Sequence, residues 1–219
     1  MPVVEPSFVL ERRLLREHPI LICLDEVGRG ALAGPVAVGA TVVDAAAARR
    51  RVPQGLRDSK LVPEKRRAEV AGRAGAWAPA SAVGWAGSDE IDEVGIMRAL
   101  GLAASRAILA ACGDVHDAAS ALVLLDGNHD YVSAVHPGAL NVRPIIKADR
   151  DCAAVSAASV LAKVARDALM VELSAEFPAY QWERNKGYAS PEHREAIRER
   201  GLSRHHRSSW AIAEAPTLF

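Results

Sequence analysis

Five short apolar runs in the sequence predict β-strands. Several carry apolar residues at successive positions, which is typical of strands buried on both faces of a sheet. Pro144 lies inside the last run, so that strand is expected at an edge of the sheet or with an irregular start. The predicted strands cover residues 20–26, 35–43, 82–86, 121–127 and 142–147.

Other apolar residues recur at helical spacing and predict helices between and after the strands. Ser88 is expected to cap one of them, with Gly95 interrupting it and Gly113 ending it. Residues 179–190 are predicted to be a loop. Strands first and helices interleaved later indicate an α/β fold, a mixed sheet with helices on its faces. The predicted helices are Phe8–Arg16, one beginning near Pro63, 88–113, Ala154–Glu176 and Pro191–Arg200 ended by Gly201.

The first strand ends in two adjacent carboxylates, Asp25 and Glu26, followed by the turn Gly28-Arg29-Gly30. Two unit charges about 4 Å apart repel by roughly 4 kcal/mol at an effective dielectric of 20. A divalent cation removes that cost, and oxygen ligands suit Mg²⁺ or Mn²⁺. The alternative is an Asp25 that accepts backbone hydrogen bonds, with Glu26 in water. The glycine spacing and the strand that follows exclude a dinucleotide-binding turn.

Asp126 ends another apolar run and is also followed by glycine. If the two strands are parallel neighbours, Asp25 and Asp126 emerge at the same edge of the sheet. Successive strand residues point to opposite faces, so Glu26 is expected to contribute through its carbonyl or at a second ion unless the strand bends. A further carboxylate comes from Asp149 or Asp151, before the long helix, where either is also explained as a helix N-terminal charge.

Ser156, Ser159 and Lys163 fall at i, i+3 and i+7 of the long predicted helix. This spacing places two hydroxyls and an amine on one stripe of the helix. The stripe is expected to face either a phosphate backbone or water.

The chain has 219 residues, half of them hydrophobic, and a formal net charge of zero. The charge is segregated, because residues 49–73 carry nine Lys/Arg against three Asp/Glu and residues 184–207 carry seven against three. Two basic segments in an otherwise acidic protein indicate a directed surface for a polyanion. Solvated helix faces would give the same pattern.

Cysteine usage and hydropathy indicate a cytoplasmic protein. Cys23, Cys112 and Cys152 are odd in number and widely spaced, which favours free thiols over a disulfide framework or a zinc site. No apolar stretch approaches the roughly 20 residues needed to cross a bilayer. The N-terminal residues lack the pattern of a secretion signal. No membrane association is therefore expected.

Five short motifs stand in order over about residues 18–210: Asp25-Glu26-Val27-Gly28-Arg29-Gly30, Asp58-Ser59-Lys60, Leu125-Asp126-Gly127-Asn128, the Ser156–Lys163 stretch and Lys186-Gly187-Tyr188. In order and spacing they resemble those of type 2 ribonuclease H, ribonuclease HII in bacteria. The chain departs from the usual family pattern in three places. Ala148 replaces a common Gly, residues 150–152 replace a Ser-containing turn, and residues 206–210 vary from the usual basic-aromatic sequence.

The resemblance implies a ribonuclease H-like fold: a mixed five-stranded sheet flanked by helices, with a small helical C-terminal appendage. Residues 1–178 would form the catalytic domain, and residues 179–219 a segment that packs on it and contributes to substrate binding. A monomer is expected.

The resemblance also implies the site. Its metal ligands fall on Asp25, Glu26, Asp126 and Asp149. The turn that senses the 2′-hydroxyl falls on residues 28–30, and the tyrosine at the ribonucleotide junction on Tyr188. That ring would pack on the sugar, and its hydroxyl would hydrogen-bond the turn. Ser59, Lys60, Lys163 and Lys186 are candidate substrate contacts, although each lysine singly is equally explained by solvation.

The activity implied is endonucleolytic cleavage of RNA in RNA/DNA hybrids and 5′ to a single ribonucleotide embedded in duplex DNA. Two Mg²⁺ or Mn²⁺ ions would support in-line attack by water, giving 3′-hydroxyl and 5′-phosphate ends. Three alternatives remain: another metal-dependent nuclease on the same fold, a hybrid-binding module without catalysis, and structural clusters whose basic segments bind an acidic protein.

Overall fold

A computed structural model describes residues 5–113 and 120–210 and, in that part of the chain, contains a mixed five-stranded sheet. The spatial order is β3-β2-β1-β4-β5. β1, β2 and β3 are antiparallel neighbours, whereas β1, β4 and β5 run parallel. β5 is an edge strand, as Pro144 indicated. The strands are β1 Ile20–Val27, β2 Val36–Asp44, β3 Ala80–Ala86, β4 Leu122–Asp126 and β5 Asn141–Ile145.

Helices cover both faces of the sheet, so the predicted fold class is confirmed. Short 3-10 turns lie at Ala47–Arg49 and Pro178–Tyr180. The described helices are α1 Val9–Leu14, α2 Glu64–Trp77, α3 Ser88–Val94, α4 Ile96–Cys112, α5 Ala148–Asp151, α6 Ala153–Glu176, α7 Trp182–Asn185 and α8 Pro191–Arg200.

Alternate residues of β1 pack into two separate cores. Leu21 and Cys23 lie in the core formed with α1, α2 and α6, whereas Ile22 and Leu24 lie in the core formed with α4. Because side chains alternate along a strand, this division explains why β1 is apolar at every position before its carboxylates.

One predicted helix start is confirmed and one predicted cap is wrong. The helix expected near Pro63 begins at Glu64, and Pro63 precedes it with an extended ψ of 135°. Gly87 rather than Ser88 precedes α3, and its N–H donates to Glu90 Oε2 at 3.0 Å. Ser88 Oγ instead donates to the Arg204 carbonyl at 3.3 Å. Gly95 separates α3 from α4 with a φ of +78°, as predicted.

Residues 179–190 are not a plain loop, because they contain the end of a 3-10 turn and helix α7. Tyr180 and Trp182 stack with ring centroids 5.3 Å apart, and both are buried. They belong to a third core with Leu32 and Ala33. Aromatic burial against the loop after β1 therefore orders this stretch, which local composition did not reveal.

The C-terminal segment also pairs with the loop after β1. Ala33 and His206 form an isolated antiparallel bridge. Residues 1–4 and 211–219 lie outside the described residues, as does the end of the predicted 179–219 segment. None of the described helices is long and apolar enough to span a bilayer.

Candidate active site

The register of two parallel strands brings two carboxylates to one edge of the sheet. β1 and β4 pair in parallel up to Leu24 with Leu125, so the next residues, Asp25 and Asp126, continue the same register. Side-chain alternation directs both toward the α6 side of the sheet. The parallel arrangement on which the sequence prediction depended is present.

Asp25 lies deep in this edge, with 6% of its surface exposed. Burial raises the pKa of Asp25 well above its usual value, while a hydrogen bond from Ser159 opposes this and the charges of Glu26, Asp126 and Asp149 add to it. The four carboxyl groups are therefore close enough to interact, and a cation at this edge would favour their ionised forms.

Glu26 occupies the opposite side of β1, as alternation predicted. Tyr131 donates a hydrogen bond to Glu26 Oε2 at 3.3 Å, and Arg29 Nη1 lies 3.9 Å from Oε1. Burial, followed by the charge of Asp126, raises the pKa of Glu26. Glu26 thus faces the same group of charges from the other side of the strand.

Asp149, in α5, joins this group through its backbone as well as its side chain. Its N–H donates to Asp126 Oδ1 at 3.2 Å, and its carbonyl accepts from Ser156 Oγ at 2.6 Å. Lys60 Nζ lies 3.8 Å from Oδ2. Burial and the charges of Asp126 and Asp58 raise the pKa of Asp149 to about 6.

Asp151 lies outside the group. It is exposed and forms two hydrogen bonds with Arg150, at 2.8 and 3.0 Å, which lower its pKa. Of the two candidates left open by the sequence, the structure brings only Asp149 to the other carboxylates. The name acidic edge is used below for Asp25, Glu26, Asp126 and Asp149.

The acidic edge has the donor chemistry of a Mg²⁺ or Mn²⁺ site, because carboxylate oxygens are the ligands these ions prefer. Within residues 5–113 and 120–210, however, no three His, Cys, Asp or Glu side chains are placed so that they could hold a metal ion without further ligands. Mg²⁺ is usually held by one or two carboxylates together with water and substrate phosphates. The residues present therefore fit a site that a phosphate completes.

Most predicted site residues line a single open cleft of ≈ 480 Å³ beside the acidic edge. Both acidic residues of β1 reach it, as do the glycine turn and parts of α6. Its lining is Asp25, Glu26, Val27, Gly28, Arg29, Gly30, Ser59, Lys60, Arg67, Lys163 and Tyr188.

The far side of the cleft is a loop wall, defined here as residues 28–35 together with residues 186–188. Arg207, fully buried, donates to the carbonyls of Gly28 at 2.6 Å and Arg29 at 2.8 Å. Arg166, also fully buried, donates to the carbonyls of Ala33 at 3.1 Å and Lys186 at 2.9 Å. Two guanidinium groups thus fix the wall by satisfying its buried carbonyls.

The two glycines of the turn have different surroundings. Gly28 has a φ of +86°, and a Cβ there would meet Arg166 Nε at 2.1 Å, so only glycine fits. A Cβ at Gly30 would have no atom within 4 Å in the described structure. Gly30 therefore leaves open space on the cleft side of the turn.

Tyr188 reaches the cleft beside two cations. Lys163 Nζ and Arg166 Cζ lie 5.9 and 5.5 Å from the centre of its ring. The predicted hydrogen bond between the Tyr188 hydroxyl and the glycine turn does not form among the described residues. Arg166 links the two instead, because it contacts the ring and holds the loop wall.

The three candidate lysines have different positions. Lys60 lies at the cleft and its pKa is raised by the neighbouring carboxylates, against the opposing effect of burial. Lys163 also lines the cleft, where it pairs with Asp167 at 2.7 Å. Lys186 turns away, since its amine contacts the Glu183 carbonyl and lies 3.6 Å from Glu64 Oε1. Of the three lysines, Lys186 is the one that does not line the cleft.

The polar stripe predicted on α6 comprises Ser156, Ser159 and Lys163. Its two serines face neither water nor an open surface. Ser156 Oγ donates to the Asp149 carbonyl, and Ser159 Oγ lies 3.0 Å from Ser59 Oγ. Both serines are buried. Their hydroxyls fix neighbouring backbone and side chains of the site because α6 packs directly beneath it.

Sequence reasoning missed the arginines that shape the cleft. Arg67 lines it and donates to the Ser59 carbonyl at 3.1 Å. Arg166 follows the polar stripe by three residues, at helical spacing from Lys163, which is the signal that was available. Arg207 lies within residues 206–210, where the chain varies from the usual family sequence. Its side chain is fully buried, so it packs inside the protein.

Comparison with known proteins agrees with this geometry. The sequence model of the Ribonuclease HII family matches residues 22–213. A ribonuclease HII of Streptomyces coelicolor is 45% identical over 217 residues, which cover 98% of this chain and 88% of that protein. One of Paracoccus denitrificans is 40% identical over 94% of this chain and 92% of that protein.

The chain belongs to the ribonuclease HII family. It is accordingly a ribonuclease H-type endoribonuclease, a hydrolase that acts on RNA/DNA hybrids. The resemblance seen in the five motifs is thereby confirmed.

Solved structures share the fold of this chain. Ribonuclease H2 from Pyrococcus horikoshii has a TM-score of 0.69 and 23% identity, covering 89% of this chain and 95% of that one. A Bst-RNase HIII structure in complex with Mn²⁺ also has a TM-score of 0.69, with 21% identity over 88% of this chain and 67% of that one. At these identities the likeness establishes the ribonuclease H-like fold.

Proposed function

We propose that this chain cuts the RNA strand of RNA/DNA hybrids and also cleaves 5′ to a single ribonucleotide embedded in duplex DNA. The products would be a 3′-hydroxyl and a 5′-phosphate. The observation that supports this most directly is the in-register placement of Asp25 and Asp126 beside Asp149, at a cleft bounded by a glycine turn.

Asp25, Glu26, Asp126 and Asp149 would hold Mg²⁺ or Mn²⁺ together with oxygens of the scissile phosphate. When bound, the ions supply Lewis-acid activation of water and stabilisation of the leaving 3′-oxygen. Tyr131 and Arg29 restrict the Glu26 carboxylate from one side, and Lys60 offsets part of the negative charge near Asp149.

The loop wall would distinguish RNA from DNA. The 2′-hydroxyl is the group that separates the two, and it can both donate and accept a hydrogen bond. Gly30 leaves room for a sugar to approach the backbone of the turn. Tyr188, held between Lys163 and Arg166, would pack its ring against the sugar at the ribonucleotide junction.

Phosphates on either side would contact the cations of the cleft. Lys60 and Lys163 line it with Ser59, and Arg67 lies between them. The two basic segments of the sequence extend this surface for a duplex polyanion. Residues 1–178 would act as the catalytic domain and residues 179–219 as the segment that supports the loop wall.

A cytoplasmic monomer without membrane association, acting in ribonucleotide excision repair, is consistent with this proposal. Repair of embedded ribonucleotides follows from the cleavage proposed, because a cut at the ribonucleotide opens the strand for its removal. The role in repair is inferred from the cleavage proposed, and the cytoplasmic location from the cysteine usage and hydropathy of the chain.

The decisive experiment incubates the protein with Mg²⁺ or Mn²⁺ and an end-labelled DNA duplex containing one ribonucleotide. A cut 5′ to the ribonucleotide, with a 3′-hydroxyl end, is expected. A duplex of the same sequence without the ribonucleotide should remain intact. Cleavage of that all-DNA duplex would favour a different metal-dependent nuclease, and binding without cleavage would contradict the catalytic proposal.

Tyr188→Ala tests the assignment of the ring. Because the ring would contact the sugar at the junction, cleavage at a single ribonucleotide should fall by about tenfold, whereas cleavage of an all-RNA hybrid should fall less. Wild-type rates on both substrates would remove Tyr188 from the site.

A further inference from the structure

A buried pair of histidines lies directly behind Tyr188. His193, in α8, is fully buried, and His206 is 3% exposed. Their Nε2 atoms are 3.1 Å apart. One of the two rings also contacts the backbone of Tyr188, so the pair bears on the position of that residue.

The contacts of His193 define which of its nitrogens carries the proton. Nδ1 lies 2.8 Å from the carbonyl oxygen of Tyr188. A carbonyl oxygen only accepts, so Nδ1 is protonated and donates. Nε2 of the neutral ring is then an acceptor, and Trp182 Nε1–H donates to it at 3.1 Å.

The second ring has the complementary tautomer. The backbone N–H of Ser203 donates to Nδ1 of His206 at 2.9 Å, so the proton of His206 is on Nε2. That N–H lies 3.1 Å from Nε2 of His193, whose single lone pair it shares with Trp182 Nε1–H. Burial lowers the pKa of His193 and lowers that of His206 to about 4. Both rings are therefore neutral at physiological pH, each with one tautomer.

Neighbouring charged and titratable groups also lower the pKa values of the two histidines. Arg194 lowers the pKa of His193, and His205 lowers that of His206. The Tyr180 ring packs edge-on against both imidazoles, at 6.0 and 4.6 Å between centroids. No carboxylate among these contacts favours a cationic ring.

This arrangement gives Tyr188 a side-chain anchor for its backbone. Its N–H donates to the Asn185 carbonyl at 2.9 Å, and its carbonyl accepts from His193 and from the Ser190 N–H, at 2.8 and 2.9 Å. The cations of Lys163 and Arg166 lie beside the ring. The bond from His193 therefore adds a side-chain restraint to the local backbone hydrogen bonds of Tyr188.

We propose that His193 is a positioning residue that sets where Tyr188 lies in the cleft, with Trp182 and His206 fixing its tautomer. The proposal rests on the proposed contact between Tyr188 and the sugar. His193 itself touches no substrate.

The first test compares His193→Gln with His193→Asn. The amide nitrogen of Asn lies near the position of Nδ1 and keeps the donor to Tyr188, whereas that of Gln lies near Nε2 and loses it. Loss of one such bond corresponds to about a tenfold effect. His193→Gln should therefore lower kcat/KM about tenfold on a single-ribonucleotide duplex and much less on an all-RNA hybrid. His193→Asn should restore most of the loss.

His205→Gln is the matched control. His205 packs against Trp182 in the same aromatic cluster, with ring centroids 6.0 Å apart, but its Nε2 has no hydrogen-bond partner in the described structure. Its variant should cleave both substrates as the wild type does. Equal losses on both substrates for His193→Gln, or no rescue by Asn, would overturn the proposal.

A second measurement needs no cleavage. Nitrogen NMR of the imidazoles in the wild-type protein should show His193 protonated at Nδ1 and His206 at Nε2, both neutral at pH 7. The opposite tautomer at His193 would overturn the proposal. Failure of the proposed function would instead appear as a wild-type protein that does not cut at the ribonucleotide, whatever the tautomers are.

Discussion

The acidic edge, through Asp25 and Glu26, and the loop wall line the same cleft but are built by different means. Backbone register places Asp25 beside Asp126 at the ends of two strands. The loop wall lies outside the strand ladders, apart from the bridge between Ala33 and His206. A few backbone hydrogen bonds to Gly187 join its segments, and the buried side chains Arg166 and Arg207 hold its remaining carbonyls. The comparison teaches that the sheet positions the carboxylates of the acidic edge, while buried side-chain hydrogen bonds help to position the loop wall that would contact the sugar of the substrate. Variants on the two sides should therefore fail in different ways.

The largest effect should come from the acidic edge. Asp25→Asn or Asp126→Asn removes a carboxylate that would hold a divalent ion, a contribution worth several kcal/mol, so cleavage should fall by about 10³-fold or more. Rates on a labelled hybrid measure this. Binding of the hybrid should persist, because the cations of the cleft are unchanged.

The same variants separate chemistry from folding. Removing one carboxylate relieves repulsion among the group, so the unfolding midpoint in a chelator should not fall. Near-normal turnover in either variant would refute the metal assignment, and a large drop in the midpoint would assign these residues to folding.

Asp149 and Asp151 form a matched pair two residues apart. Asp149→Asn should lower cleavage by roughly 10²-fold, because this carboxylate belongs to the acidic edge. Asp151→Asn should change it little, because Asp151 is exposed and pairs with Arg150. Single-turnover rates at saturating metal measure both, and the reverse order would move the fourth ligand to Asp151.

Gly28 and Gly30 form the corresponding pair in the loop wall. Gly28→Ala should lower the free energy of unfolding by about 1–3 kcal/mol, because its φ is positive and its Cβ would meet Arg166. Gly30→Ala should leave stability within about 0.5 kcal/mol but reduce cleavage at a ribonucleotide, because the added methyl group would enter the cleft. Urea unfolding and cleavage assays would distinguish the two, and equal stability losses would contradict the structure of the turn.

The smallest effect concerns acid stability behind the loop wall. The pKa of His206 is lowered from 6.5 to about 4, so below pH 6.5 the unfolded chain takes up a proton that the folded chain does not. Folding should lose about 2 kcal/mol of stability between pH 7 and pH 5 from this group. His206→Asn keeps an acceptor for Ser203 without titrating, so it should show a flatter profile in urea unfolding. Parallel profiles would contradict the lowered pKa.

Much of the acidic edge could be predicted from the sequence. The apolar runs before Asp25 and Asp126 indicate buried strands, and a carboxylate that ends a buried strand marks the edge of a sheet. The choice between Asp149 and Asp151 could not be made in this way, because both precede the same helix. It required the hydrogen bond from the Asp149 N–H to Asp126.

The loop wall was predicted far less completely. Glycine spacing and the Lys-Gly-Tyr motif indicated its two segments, but the side chains that join them were missed. Arg166 and Arg207 are charged residues that local pattern assigns to a surface, and both are fully buried. The sequence also suggested that Ser156 and Ser159 face a phosphate backbone or water, whereas both are buried.

By itself the sequence determined the strands, the family motifs and the two carboxylates, Asp25 and Asp126, that follow apolar runs near strand ends. These depend on residues close together in the chain, where period and composition are informative. Only the tertiary structure decided which carboxylate completes the acidic edge, how the loop wall is held and how Tyr188 is anchored. Those features depend on hydrogen bonds between residues far apart in sequence, and buried carbonyls accept them from whichever donor the fold brings within reach.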